Sequence, residues 1–375
     1  MARRSVGLVE PDVSTVPVRL RNPVERHAMG YLFDLYGPVT RRAPWLYSGA
    51  YRLSNGPRIC DVANRMTSRL LYNTFSGIIA DARPDLVVSV HSLLTHPMMH
   101  ALRRANHDIP LFSVVTDLIS VHQSWIVPEV DRCFVPTAEV RDELIARGMR
   151  DEQLSLSGLP IHPSFSVGPN LLDRETLRRR LGLDPRRFTV LMMGGGEGIG
   201  GLASIADGLA RSNLPVQIIA VTGHNEKLRA QLLDQQDAWP IPYRTFGFVG
   251  DVPNLMRAAD VVLTKAGSVT IAESLASGLP IIISCVVDGQ ESGNVDFVTR
   301  HRVGIRARTT SAVLEGVRSL QRLPADEMRE LRARARALSA PDASFAVAGQ
   351  ILSALHPADA PNLNPRRGTV EPLFA

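Results

Sequence analysis

The residues of this 375-residue chain that could do chemistry gather in three turns and a few carboxylates. Gly194-Gly-Gly-Glu-Gly-Ile-Gly-Gly201 follows the apolar run Phe188–Met193 and opens a helical pattern over Leu202–Arg211. Such a turn lets the backbone come close to an anion, and the helix start adds free N–H groups and a positive dipole. Gly195 and Gly196 are its candidates for phosphate contact. Gly196, Gly198 and Gly201 also approximate a dinucleotide fingerprint, but no acidic residue ends the next strand to hold a ribose. Thr264-Lys-Ala-Gly-Ser-Val-Thr-Ile-Ala-Glu273 forms a second cradle. Lys265 supplies an ammonium, and Ser268, Val269 and Thr270 begin a helix. Glu273, one turn on, either accepts from the two vicinal hydroxyls of a ribose or serves the helix dipole. Asp288-Gly-Gln-Glu-Ser-Gly-Asn294 is the third turn, where Gln290 and Glu291 suit sugar hydroxyls and Asn294 is expected to cap the next helix. Two anion cradles, a ribose carboxylate and a polar sugar loop, in that order, describe a nucleotide-sugar site.

Candidate proton acceptors lie earlier. Asp117 follows the strand-like run Leu111–Thr116, and His91 follows Leu86–Val90. A base at such a position can take a proton from an acceptor hydroxyl, whereas an Asp there can equally cap a turn. His96 and His122 are further candidates, each as readily a hydrogen-bonded structural residue. Cys60, Cys133 and Cys285 are too far apart for a metal-binding pair, and no metal site is expected.

The elements that must position these groups alternate. Helices are expected over Asp61–Ala82, His96–Asn106 and Thr137–Arg147, the last with Thr137 as cap and Gly148 as stop. Strands are expected at Leu86–Val90, Leu111–Thr116, Arg132–Val135 and Leu154–Ser157. A second series follows, with helices over Arg174–Leu181, Leu202–Arg211, Lys227–Gln236, Asn254–Ala258 and Ser268–Ser277. Its strands are Phe188–Met193, Val216–Val221, Arg244–Val249, Val261–Thr264 and, as the last, Pro280–Ser284. The pattern is α/β, two doubly wound Rossmann-like domains about a cleft, with ligands at the carboxyl ends of the strands. The expected division is 1–165 as acceptor and membrane-binding domain, 166–340 as nucleotide-sugar domain, 341–356 as a C-terminal helix and 357–375 as a disordered tail.

Charge is concentrated. The net is +5, and residues 1–58 hold nine arginines against four acidic residues, so the whole excess lies there. Tyr31, Phe33, Tyr36, Trp45, Tyr47 and Tyr51 are interleaved. Arginines with aromatic rings suit an anionic membrane surface, or equally a solvated basic face over an aromatic core. No nucleic-acid motif accompanies the charge, so no nucleic-acid partner is expected. The chain has 40 Arg and 2 Lys, Lys227 and Lys265, so a Lys in the second cradle singles out a place for a compact ammonium. No apolar run is long enough to span a bilayer and no secretory signal is visible, so a cytoplasmic protein, peripheral on the inner face of the plasma membrane, is expected.

With these motifs in hand, the chain resembles the glycosyltransferases that include the monogalactosyldiacylglycerol synthases, the processive diacylglycerol glucosyltransferases and, more distantly, the enzyme that adds N-acetylglucosamine to lipid I. The resemblance rests on the three turns, on Gly278-Leu-Pro-Ile-Ile, and on Ser89-Val-His, Thr116-Asp-Leu, His122-x-x-Trp125 and Gly158-Leu-Pro. It implies a GT-B fold and inverting transfer of a hexose, galactose first, from a UDP-sugar to diacylglycerol, without cofactor or catalytic metal. It also implies that the backbone of Phe246–Val249, including Phe248 and Val249, meets uracil, and that Glu273 holds the ribose. Gly196 and Ser268–Thr270 would hold the diphosphate, Lys265 the leaving charge, and Gln290 and Glu291 the hexose. UDP-glucose or UDP-N-acetylglucosamine as donor, and a non-catalytic paralogue that only binds, are the alternatives. The resembling enzymes carry a Gly-Gly-Gly-His loop before the region matched here. Met1–Arg26 holds none, and either an upstream segment or a degenerate paralogue is expected to account for it.

Overall fold

The computed structural model describes residue 39 and residues 44–105, 108–166, 172–196, 198–235 and 238–355. Most of the basic, aromatic N-terminal segment and the tail expected at 357–375 lie outside the described residues.

Helices α1 (Pro44–Ser54) and α2 (Pro57–Ala82) precede a four-stranded parallel sheet. It runs β1-β2-β3-β4, from β1 (Val87–Ser89), β2 (Leu111–Val114), β3 (Arg132–Val135) and β4 (Leu154–Leu156). Helix α3 (Ser92–Arg104) follows β1, and α4 (Ala138–Ala146) follows β3. Leu71, Phe75 and Ile79 recur at helical spacing on α2 and are buried against Met99 and Leu102 of α3. Thr137 caps α4 by accepting from the Val140 N–H at 3.3 Å, and Gly148 ends it at φ +100°.

The second sheet has six parallel strands. After α5 (Arg174–Arg180) come β5 (Phe188–Met193), α6 (Leu202–Arg211), β6 (Val216–Val221), α7 (Glu226–Asp234), β7 (Tyr243–Phe246) and α8 (Val252–Ala258). Then come β8 (Val261–Lys265), α9 (Ser268–Ala276), β9 (Ile281–Cys285), α10 (Ser292–Arg300) and β10 (Gly304–Arg306). Helices cover both faces, so the central strands are apolar throughout. Along β5, Val190 and Met192 join one core while Leu191 and Met193 join the other, as the period of a strand requires.

The strand order is β10-β9-β8-β5-β6-β7. The chain steps from β5 outward through β6 and β7, then returns to β8 on the other flank of β5. That reversal leaves a crevice beyond the carboxyl ends of β5 and β8, the position where open parallel sheets take their ligands. The turns Gly194–Gly201 and Lys265–Gly267 both open there.

Three helices close the described chain: α11 (Thr310–Arg322), α12 (Ala325–Ala337) and α13 (Ala343–Leu355). Helix α13 crosses back to the first sheet, where Val347 packs with Phe112, Val114 and Phe134. Gln350 accepts there from the Arg132 guanidinium at 2.7 Å and the Ser155 hydroxyl at 3.0 Å.

The structure differs from the sequence reading in several elements, among them helix α2, which begins at Pro57 rather than Asp61. Pro280–Ser284 is not the last strand, because β10 pairs beyond β9, with Gly304 opposite Ile281; three residues are too few to show a period. The strand expected over Arg244–Val249 ends at Phe246, leaving the following residues to turn. Helix α3 begins at Ser92 rather than His96. Pro97 sits inside the helix, whose start His91 caps. Helix α1 was not anticipated at all.

Candidate active site

Lys265 is the last residue of β8, and its side chain runs between the two glycine turns. A Cβ on Gly195, which sits at φ +69°, would lie 3.0 Å from Lys265 Cε. A Cβ on Gly267, the N-cap of α9, would lie 3.0 Å from Lys265 Nζ. A side chain at either position would press on the end of the Lys265 side chain and make it shift. At Gly196 nothing lies within 4 Å of a Cβ position, so the turn is open there.

The ammonium is anchored from below by an ion pair with Glu291. Glu291 is 5% exposed, and its second oxygen accepts from the Val287 N–H at 3.0 Å. A buried carboxylate keeps its charge only when paired and hydrogen-bonded in this way. Both Glu291 oxygens are thus engaged within the protein. One hydrogen of the ammonium meets Glu291, and its remaining donors are left for an anion.

Helix α9 starts directly after this pair. Ser268 Oγ accepts from the Leu118 N–H at 3.2 Å and from Asn294 Nδ2 at 3.4 Å, so its own proton is the donor it has left. Asn294 does not cap the helix after the sugar loop. That helix begins at Ser292, and Asn294 lies within it, donating to the Ala266 carbonyl at 2.8 Å and so holding the turn before α9. Val269 is exposed and Thr270 half-buried.

Glu273 lies beyond the first turn of α9, which removes the dipole-cap explanation. Its half-buried carboxyl has no hydrogen-bond or ion-pair partner among the described residues. Burial alone pushes its pKa up to about 7. An uncompensated carboxyl beside a ligand crevice is a signature of a binding group. On the far side of the crevice, β7 ends and Phe248 stacks on His224 with ring centroids 4.5 Å apart, 68% exposed. Val249 packs against the core behind it, and the Phe246 carbonyl is taken by the Thr222 N–H at 2.9 Å.

The first sheet contributes Asp117, just beyond β2. It is buried, and desolvation raises its pKa despite the hydrogen bonds that oppose the shift. Trp125 Nε1 donates to Oδ2 at 2.8 Å, and Gln290 Nε2 donates to Oδ1 at 3.5 Å. Gln290, on the sugar loop of the second sheet, therefore touches the candidate base of the first. His91 stands elsewhere in role: exposed at the end of β1, it caps α3 by accepting from the Leu93 N–H at 3.3 Å. His96 lies 3.1 Å from the Ser68 hydroxyl, and His122 lies within hydrogen-bond distance of Ser124 and Ser54. Both are structural contacts.

Helix α1 supplies two residues that the sequence reading missed. The Tyr47 hydroxyl donates to Gln290 Oε1 at 2.9 Å. The Tyr51 ring covers Gly289, where a Cβ would lie 2.9 Å from it, and meets His122 edge-on at 4.9 Å. Burial and the nearby Asp117 charge push the Tyr51 hydroxyl well above its ordinary pKa. The available signal was the four-residue spacing of Tyr47 and Tyr51, which puts them on one helix face. Among the described residues no group of His, Cys, Asp and Glu is arranged to hold a metal ion.

Comparisons with known proteins bear on the family and the fold. Residues 22–161 match the family model of monogalactosyldiacylglycerol (MGDG) synthase, and residues 189–327 match the glycosyltransferase family 28 C-terminal domain. A protein of Oryza sativa subsp. indica described as "Probable monogalactosyldiacylglycerol synthase 2, chloroplastic" is 36% identical over 277 residues, 72% of this chain and 58% of that one. Monogalactosyldiacylglycerol synthase 2, chloroplastic, of Arabidopsis thaliana is 33% identical over 282 residues, 73% of this chain and 59% of that one. The chain thus spans about three-fifths of the length of these relatives. Among solved structures, Acinetobacter baumannii MurG superposes with a TM-score of 0.53 at 16% identity, over 75% of this chain and 77% of that one. That likeness shows the fold, which is GT-B. The chain belongs to the monogalactosyldiacylglycerol synthase-like glycosyltransferases.

Proposed function

We propose that the chain is an inverting hexosyltransferase that moves galactose from UDP-galactose to diacylglycerol at a membrane surface. The observation that carries this reading is the Lys265 ammonium, held by buried Glu291 between two glycine turns at the strand-order reversal. It is a place built for a diphosphate. Glu273 supplies the acceptor for ribose hydroxyls, the turn Gly247–Val249 the wall for uracil, and Gln290 the group that meets the hexose.

The chemistry follows from these placements. Asp117 takes the proton of the acceptor hydroxyl, and the freed oxygen attacks C1 of the hexose from the first-sheet side. The bond from C1 to the phosphate oxygen breaks on the opposite side, so configuration inverts. Charge then develops on the leaving UDP, where Lys265, the Ser268 hydroxyl and the start of α9 stand preorganised to receive it. No cofactor enters the reading. Incubating the full chain with UDP-galactose and diacylglycerol in mixed micelles, with proton NMR of the purified lipid, tests it. A β-galactosyl lipid is expected; an α-linked product, or free galactose alone, overturns the reading.

The membrane part rests on helices α1 and α2. Trp45 is 75% and Met66 67% exposed, with Leu46, Leu53, Ile59 and Val62 also exposed between them. Arg52, Arg58, Arg65 and Arg69 are exposed on the same two helices. Apolar side chains rimmed by arginines fit the headgroup region of an anionic leaflet, each arginine adding about 1 kcal/mol. Among the described residues no helix is long and apolar enough to cross a membrane. On the exposed apolar side chains and arginines, peripheral attachment to the inner face of the plasma membrane is proposed. Liposome sedimentation is expected to rise with anionic lipid and to fall with salt. Equal sedimentation with neutral liposomes would remove the electrostatic share.

A further inference from the structure

We infer that Tyr47 is a positioning residue that sets donor-sugar discrimination by fixing the amide of Gln290. The inference rests on the reading of Gln290 as the group that meets the hexose, and it deepens that reading.

A Gln carboxamide has two nearly isosteric ends, and its partners decide which way it points. Here one partner has fixed chemistry, and the other takes the role that this leaves it. The Asp117 carboxylate, when ionised, only accepts, so the end 3.5 Å from Oδ1 must be the NH2 group. The Tyr47 hydroxyl, 2.9 Å from the other end, donates to the carbonyl oxygen. The two contacts come from two different parts of the first-sheet half: the turn after β2 and helix α1. Each uses up part of the amide. Nε2 keeps one N–H and Oε1 keeps one lone pair, so Gln290 offers a sugar one donor and one acceptor in a set orientation.

Hexoses that differ at one carbon present the same hydroxyl in two directions. A freely turning amide can follow either direction, whereas a clamped amide fits one. Tyr47 is the half of the clamp that can be removed without touching the candidate base. Its ring stays in place through the aromatic contact with Tyr51, centroids 6.3 Å apart, when only the hydroxyl is deleted.

The test uses the full chain and Tyr47→Phe, with UDP-galactose and UDP-glucose as parallel donors and UDP alone as a binding probe. The ratio of kcat/KM between the two donors is expected to move toward one by about fivefold to tenfold, the size of one lost hydrogen bond. UDP affinity is expected to stay unchanged, which separates the effect from a general loss of structure. In a Gln290→Ala background, Tyr47→Phe is expected to leave the ratio where Gln290→Ala alone puts it. An unchanged donor ratio in Tyr47→Phe, or an equal shift with and without Gln290, overturns the inference while leaving the transferase reading intact. No turnover by the unmutated chain with either donor overturns both.

Discussion

Glu273→Ala is expected to weaken UDP binding about thirtyfold to a thousandfold, the loss of two charge-assisted hydrogen bonds worth about 2–4 kcal/mol together. Calorimetric titration with UDP reads it, and an unchanged affinity removes Glu273 from the ribose. The same carboxylate makes a second, opposite prediction for the free protein. Its folded pKa is raised from 4.5 to about 7 by burial. Between those values the folded state holds a proton that the unfolded chain has released, so stability falls as pH rises through that window and the loss is complete above it. The upper bound is about 3 kcal/mol. Glu273→Gln is therefore expected to raise Tm at pH 8 and to flatten its decline between pH 4.5 and 7, while UDP binds more weakly. A gain in stability paired with a loss of binding marks a group kept for its ligand. A substitution that lowered both would mark Glu273 as part of the framework.

Asp117→Asn is expected to lower kcat about a hundredfold to ten-thousandfold, the range for loss of a general base, with UDP affinity unaltered. Asn can still accept from Trp125 Nε1, which keeps that contact, while its NH2 replaces the oxygen that accepts from Gln290 Nε2. Because burial raises the Asp117 pKa, kcat/KM of the unmutated chain is expected to fall as pH drops through that raised value, and Asp117→Asn to abolish this limb. His91→Ala is expected to have far less effect, since His91 caps α3 at the surface. Loss of turnover in His91→Ala with retention in Asp117→Asn would exchange their roles.

Much of the proposed donor site was legible because it is built from local sequence. A glycine turn after a strand and before a helix can be recognised without knowing what lies across the crevice, and the same holds for Lys265 to Glu273. What was not legible is what depends on pairs distant in the chain. Glu291 looks, in sequence, like one more sugar-loop carboxylate, and its pairing with Lys265 appears only when β8 and β9 lie side by side. Asn294 was expected as a cap because it precedes an apolar helix, yet its amide holds the turn before α9. Tyr47 and Tyr51 read equally as membrane-interface aromatics or as an aromatic core under a basic face, since nothing local says that their helix lies against Gly289 and Gln290. The fold was legible where strands were long: Phe188–Met193 and Val216–Val221 were read to the residue. It failed at Gly304–Arg306, where three residues carry no alternation.

The central claim is that the crevice at β5 and β8 delivers a hexose from UDP to a lipid hydroxyl. It is tested most directly by following UDP release and lipid product together. The full chain would be given diacylglycerol in mixed micelles containing anionic phospholipid, with UDP-galactose and UDP-glucose in parallel. The account predicts one glycolipid formed per UDP released, fastest with UDP-galactose. Saturable UDP binding with no glycolipid from either donor would contradict it.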